Sequence, residues 1–303
     1  MTHFDGTVAS EIGVFDSEIS RERHTRCFCK SVLAAHPEAG TIAGEILEAT
    51  RLPGLTNRVF RLATDRGTFV LRVPRPEMDG KIDRKAEWQD LLKAADIGVA
   101  VRPLYGDPGS GVILLPEVAT SGQTTAPALG RCLATLHGSQ VTFSRNREPV
   151  TYLEECEAEA RRSGPLPERL QFLCRHLRGG LEGLAQSRSV PCHFDLSPGN
   201  ILPQGESLIL IDFEYAAMAN AAWDLAYAVL EHGFDALQER ELLKTYGEAG
   251  GLVPDPLELK VYRLNCDVIS ALWALAQLAQ GNDADDFAAF ADGRIKRALA
   301  LVG

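Results

Sequence analysis

The hydrophobic pattern of the chain changes period once, near residue 120, and this change alone calls for two differently built halves. Between residues 41 and 118 short runs alternate polar and apolar side chains, the signature of half-buried strands. Asn57-Arg58-Val59-Phe60-Arg61-Leu62-Ala63 and Thr68-Phe69-Val70-Leu71-Arg72-Val73 flank an Asp65-Arg66-Gly67 turn and predict a β-hairpin. A helix is expected over 82–96, and further strands over 101–105 and 111–118. The polar run 119–125 reads as a hinge or linker. Beyond it apolar residues recur at helical spacing, which predicts helices over 126–137, 151–162, 168–184, 220–232, 256–279 and 284–301. Two short β runs, at 191–194 and 207–211, interrupt them. A chain of 303 residues has room for two such parts. The expectation is an α+β protein with a small β-rich N-terminal lobe over 1–118, helical over its first 40 residues, and a larger, mainly helical C-terminal lobe over 126–303.

Charge narrows the partners. The 41 acidic against 31 basic side chains leave a net charge of −10, which repels phosphate backbones and anionic lipid. The densest basic stretch, Arg21 to Arg26, is too short to reverse this. No nucleic acid or membrane partner is expected. The seven cysteines are scattered and contain no C-x-x-C, so they suggest neither a disulfide framework nor a zinc site, and a reducing compartment fits them. The longest apolar stretch, 268–279, is interrupted by Ser270 and Gln277 and falls well short of the ~20 residues that span a bilayer. Met1-Thr2-His3-Phe4-Asp5 lacks the basic and then apolar character of a signal peptide. A cytoplasmic protein is expected.

Chemistry concentrates in His193-Phe194-Asp195-Leu196-Ser197-Pro198-Gly199-Asn200, followed by the apolar run Leu208-Ile209-Leu210-Ile211 and then Asp212-Phe213-Glu214. Either Asp alone would serve as a turn cap or a strand end. An Asp, an Asn five residues on, and a second Asp delivered by an apolar strand form the set that phosphoryl transfer from a metal nucleotide needs. Asp195 would accept the proton of an acceptor hydroxyl. Asn200 and Asp212 would hold Mg²⁺, a hard ion that takes oxygen ligands.

These residues, with Ile211-Asp212-Phe213-Glu214-Tyr215, resemble the choline/ethanolamine kinase family within the aminoglycoside-phosphotransferase-like kinases. The resemblance runs through Gly54-Leu55-Thr56-Asn57-Arg58, Val70-Leu71-Arg72-Val73-Pro74, Ile82-Asp83-Arg84 leading to Glu87, and Trp223-Asp224. It implies a protein-kinase-like fold, ATP and Mg²⁺ as cofactors, Val70 against adenine, and Thr56 and Asn57 on a phosphate loop. One glycine in place of three allows the backbone only a local approach to phosphate, so the Thr56 hydroxyl and Asn57 amide would add donors. Phe194 departs from the family's usual Asn. Arg72 and Glu87 also make sense by pattern: Glu87 shares a helix face with Leu91, Ala94 and Ala95, where a carboxylate needs a cation. Arg72, mid-strand opposite Phe69, Leu71 and Val73, would pair with it and reach phosphate.

Candidates for holding the acceptor are Glu214, Tyr215, Glu231, Asp267 and Trp273, since carboxylates and aromatic faces suit a cationic alcohol. Trp273 reads equally well as a core tryptophan. By the family pattern Asp224 sits under the catalytic loop rather than on substrate. The family has two tryptophans three apart on this late helix, and Ser270 stands at the earlier place. The implied activity is phosphorylation of choline, ethanolamine or a similar amino alcohol. A kinase for an aminoglycoside or thiamine is the alternative, and a non-catalytic kinase-fold binding protein is a third reading that intact Asp195, Asn200 and Asp212 argue against.

Overall fold

The computed structural model of the chain describes residues 22–78, 80–162, 164–184 and 188–303. The expectations for the first 21 residues, including the start of the helical extension, lie outside these. By contact the chain divides into two units, Met1–Arg75 with Pro103–Glu117 and Pro76–Arg102 with Val118–Gly303.

The first unit is a five-stranded antiparallel sheet under two helices. Strands β1 (Ile46–Leu52), β2 (Asn57–Thr64), β3 (Gly67–Pro74), β4 (Tyr105–Asp107) and β5 (Val112–Pro116) lie in the order β1-β2-β3-β5-β4. The expected hairpin is there: β2 and β3 pair from Asn57↔Pro74 to Thr64↔Gly67, with Asp65 and Arg66 as the turn. Two-residue alternation puts Phe69 and Leu71 into a core with Phe60 and Leu62, against α1 (residues 22–35) and α2 (Pro37–Ala43), whose Cys29, Leu33, Ala39 and Ala43 cover them. Val70 and Arg72 therefore occupy the other face. The strand expected over 101–105 starts later: Pro103 has no N–H to give a ladder, and pairing with β5 begins with the Leu104 amide on the Leu114 carbonyl.

In the second unit, α3 (Arg84–Asp96) opens on Asp83, whose carboxylate accepts the amides of Lys85 and Ala86 as an N-cap. It belongs with this unit because Asp90, fully buried, accepts the amide and hydroxyl of Ser144, and because Val99 and Ala100 bridge to Leu210. The remaining helices are α4 (Ala126–Gly138), α5 (Pro149–Arg161), α6 (Glu168–Glu182), α7 (Ala222–Glu231), α8 (Ala236–Glu248), α9 (Pro256–Ala279) and α10 (Phe287–Val302). Two small antiparallel pairs position the chemistry: β6 (Ser189–Cys192) with β9 (Ala217–Asn220), and β7 (Ile201–Gln204) with β8 (Ser207–Leu210).

Three of these elements were not expected. β7 contains Pro203 and β9 reads Ala-Met-Ala-Asn, so neither has the β-branched pattern of a strand. Helix α8 does carry a signal, a capping box in which Asp235 and Gln238 satisfy each other's backbone amides. It lies against α4, so closely that a Cβ on Gly130 would sit 2.5 Å from the Leu242 carbonyl oxygen. The long α9 packs on α7 and α10. Among the described residues no helix is long and apolar enough to cross a membrane.

Candidate active site

The loop after β6 is held from beneath. Asp224 on α7 is fully buried, and its carboxylate accepts the amides of His193 (2.7 Å) and Phe194 (2.9 Å) together with a contact from His137 Nε2 (3.2 Å). His137 in turn meets the Tyr246 hydroxyl of α8 at 3.0 Å. These bonds fix Phe194 at φ 73°, a left-handed conformation that a phenylalanine adopts only when its surroundings impose it. The Phe194 ring stacks on Trp223 (4.6 Å between centroids) and meets Tyr152 edge-on, while the Trp223 indole donates to the Phe194 carbonyl. The departure at this position thus has a packing role.

His193 is buried, and this lowers its pKa despite nearby Asp224 and Asp195. As a neutral ring it accepts the Asp195 amide at Nδ1 (3.2 Å) and donates from Nε2 to the Ile211 carbonyl (3.0 Å). The same ring lies 4.6 Å from that of Phe213, so one histidine ties the loop to the segment after β8.

Asp195 is half-buried. Asn200 Nδ2 donates to its Oδ2 at 2.8 Å and to its carbonyl at 3.1 Å, and the Tyr227 hydroxyl approaches Oδ1 at 3.4 Å. Burial and then the Asp195 charge push the Tyr227 phenol well up, so it stays a donor. With Nδ2 spent on Asp195, the Asn200 side chain offers its Oδ1 to a ligand.

Asp212 also has a left-handed backbone, φ 67°. Carboxylate oxygens of Asp212, Glu214 and Glu87 lie within 4.8 Å of one another. Arg84, three residues before Glu87 on α3, joins two of them: Nη1 donates to Glu87 at 2.9 Å and to Glu214 at 3.2 Å. Glu214, expected among the acceptor's contacts, is therefore buried in the carboxylate cluster. The sequence places Arg84 in the family pattern but gives it no role, although its spacing to Glu87 is that of a helical ion pair. Arg145 fixes the segment beyond by donating to the Glu214 and Ala216 carbonyls. Oxygen donors from Asp212, Glu214, Glu87 and Asn200 match what Mg²⁺ takes. A second cluster, His137 with Cys192 and Asp224, does not suit a metal: hydrogen-bond donors already occupy Asp224, and burial pushes the Cys192 thiol well above its ordinary range.

Two acceptor candidates come together: Trp273 Nε1 donates to the Tyr215 hydroxyl at 3.0 Å, and the indole rests edge-on against Phe287 and Phe290 of α10. Glu231 and Asp267 are in a different state from the one their sequence suggests. Arg294 engages Glu231 through both terminal guanidinium nitrogens, and Arg297 grips Asp267 with Nε 2.9 Å from each carboxylate oxygen. Burial alone would raise the Glu231 pKa, yet the two arginines hold it low; for Asp267 burial wins and the pKa rises. Their charge is compensated, and a one-dimensional pattern had no way to pair them with α10.

In the first unit, Thr56 and Asn57 are buried at the start of β2, with the Asn57 amide 3.2 Å from the Thr56 hydroxyl. Gly54 is required just before them, since a Cβ there would lie 2.5 Å from the Asn57 carbonyl oxygen. Val70 and Arg72 sit on the β3 face away from the core, with Arg72 buried.

The model of the phosphotransferase enzyme family (APH) matches residues 48–262. A choline/ethanolamine kinase family protein from Mesorhizobium loti is 31% identical, and its crystal structure aligns with TM-score 0.75 over 90% of this chain and 93% of that one. Choline kinase LicA from Streptococcus pneumoniae aligns with TM-score 0.78 at 22% identity, over 92% and 99% of the two chains. Protein LicA of Haemophilus influenzae is 24% identical over 258 residues, 78% of this chain and 75% of its own length. The expected protein-kinase-like α+β fold is borne out.

Proposed function

Because the chain belongs to the phosphotransferase enzyme family, where it is similar to choline/ethanolamine kinase family proteins, we propose that it transfers a phosphoryl group from ATP to the hydroxyl of choline, ethanolamine or a similar amino alcohol. The observation that carries this reading is the Asn200 side chain, which holds Asp195 with its nitrogen and keeps its oxygen for a ligand. Asp195 accepts the hydroxyl proton as the acceptor oxygen attacks. Asn200 and Asp212 hold Mg²⁺, beside Glu214 and Glu87; when bound, the ion neutralises charge on the phosphates. Thr56, Asn57 and Arg72 bind phosphate, and Val70 lies against adenine.

For the acceptor, Tyr215 and Trp273 supply aromatic faces to the ammonium group. Glu231 and Asp267, each paired with an arginine, shape that wall more than they charge it. An ADP-release assay with ATP and Mg²⁺ over choline, ethanolamine, thiamine, homoserine and several aminoglycosides tests the reading. Turnover is expected with the small amino alcohols; turnover confined to thiamine or an aminoglycoside would replace the acceptor, and none with any of them would favour a binding protein.

Trp273→Leu keeps an apolar helix former at the site. It is expected to raise KM for the amino alcohol about 2- to 30-fold, the size of one lost cation–π contact, and to leave KM for ATP near parent. A lower melting temperature with unchanged KM would place Trp273 in the core alone.

A further inference from the structure

Arg84 projects from the first turn of α3 with nine-tenths of its side chain buried. Nη1 is committed, bridging Glu87 and Glu214. Nη2, attached to the same guanidinium carbon, is buried and makes no hydrogen bond within the described structure. A buried charged donor with no acceptor is costly, and here the cost falls beside the carboxylates of the metal-ligand segment. An acceptor that arrives with a ligand removes it.

The surroundings define that ligand. Two carboxylates hold the guanidinium and a third, that of Asp212, has an oxygen within 4.8 Å of theirs, so a bare anion would be repelled. An anion that brings its own divalent cation would be welcome, the cation to the carboxylates and an anionic oxygen to Nη2. Such a ligand is a metal-bound phosphoryl group, and the planar guanidinium fork suits its oxygens better than a point charge does.

We propose that Arg84 is a phosphate ligand: Nη2 donates to a non-bridging phosphoryl oxygen of the metal-bound nucleotide, while Nη1 holds Glu87 and Glu214 in register. This rests on the kinase reading above and adds to it a residue that the reading does not use.

Arg84→Lys separates the two duties, because one ammonium group can replace Nη1 between the glutamates but brings nothing in place of Nη2. Titration calorimetry with ADP and Mg²⁺, with melting temperatures on the same samples, reads the result. Arg84→Lys is expected to weaken Mg·ADP about 10- to 150-fold, the size of one charge-assisted hydrogen bond, with melting temperature and Mg-free ADP affinity near parent. Arg84→Met, which removes both duties, is expected to weaken Mg·ADP at least as much as Arg84→Lys does and to lower the melting temperature as well. Parent-like Mg·ADP affinity in Arg84→Lys would overturn the proposal while leaving the kinase reading in place. So would a weakened Mg·ADP affinity in Arg84→Lys together with a melting temperature as low as that of Arg84→Met, which would mark a purely structural bridge. Absence of Mg·ADP binding by the parent protein would remove the kinase reading, and the role of Arg84 with it.

Discussion

Asp195→Ala is expected to lower turnover by about 10²- to 10⁴-fold, the usual loss for a missing general base, with Mg·nucleotide affinity close to parent. The binding groups survive the change. Asn200 keeps a hydrogen bond to the residue 195 carbonyl, its backbone oxygen still accepts the Ile211 amide, and Asp212 stands on a separate segment. Only the proton acceptor is gone. Steady-state kcat beside a calorimetric Kd for Mg·ADP checks both halves of the statement, and near-normal kcat would remove Asp195 from the mechanism.

Asp224→Asn is expected to damage both stability and turnover. The carboxylate has no exposure to water and serves two backbone amides through different oxygens, with His137 sharing one of them. Asparagine offers one acceptor oxygen and turns an amino group toward the other amide. A buried amide left without an acceptor costs about 1–3 kcal/mol. The same loss releases the strained turn at Phe194, one residue before the proton acceptor, so turnover of the folded protein falls as well. Urea unfolding midpoints and kcat on the same preparation measure the two effects. Parent-like stability would mean that water replaces the lost oxygen, and parent-like kcat would mean that the loop keeps its shape without this anchor.

Much of this arrangement is legible in the sequence. The hairpin from Asn57 to Pro74 was legible because its strands alternate and its turn is local. The succession of Asp195, Asn200 and Asp212 was legible because the donors lie close together in sequence. What escaped was pairing over long separations. Glu231 and Asp267 look like free anions until α10 brings Arg294 and Arg297 to them. Glu214 looked like a substrate contact because its partner, Arg84, lies 130 positions earlier. Helix α8 was overlooked for a different reason: its start signal is a local capping box, but it follows a glycine-containing turn where apolar spacing is weak. The division of the chain into units followed contacts such as Asp90 with Ser144, which no hydrophobic period encodes.

The Asp224 anchor has a consequence for anyone comparing or transplanting such loops. The segment from His193 to Asn200 carries the reacting groups, but the forces that shape it come from α4, α7 and α8 through His137, Asp224 and Tyr246. Moved to another scaffold as eight residues, it would relax to ordinary right-handed or extended backbone and point its aspartate elsewhere. A relative that retained the loop's letters but had apolar residues in place of His137 and Asp224 would display the right signature on a loop with nothing to bend it. Such a chain is a better candidate for a pseudoenzyme than one that had merely changed a surface residue beside the aspartate. The competence of the motif is a property of three helices that no pattern search over the loop inspects.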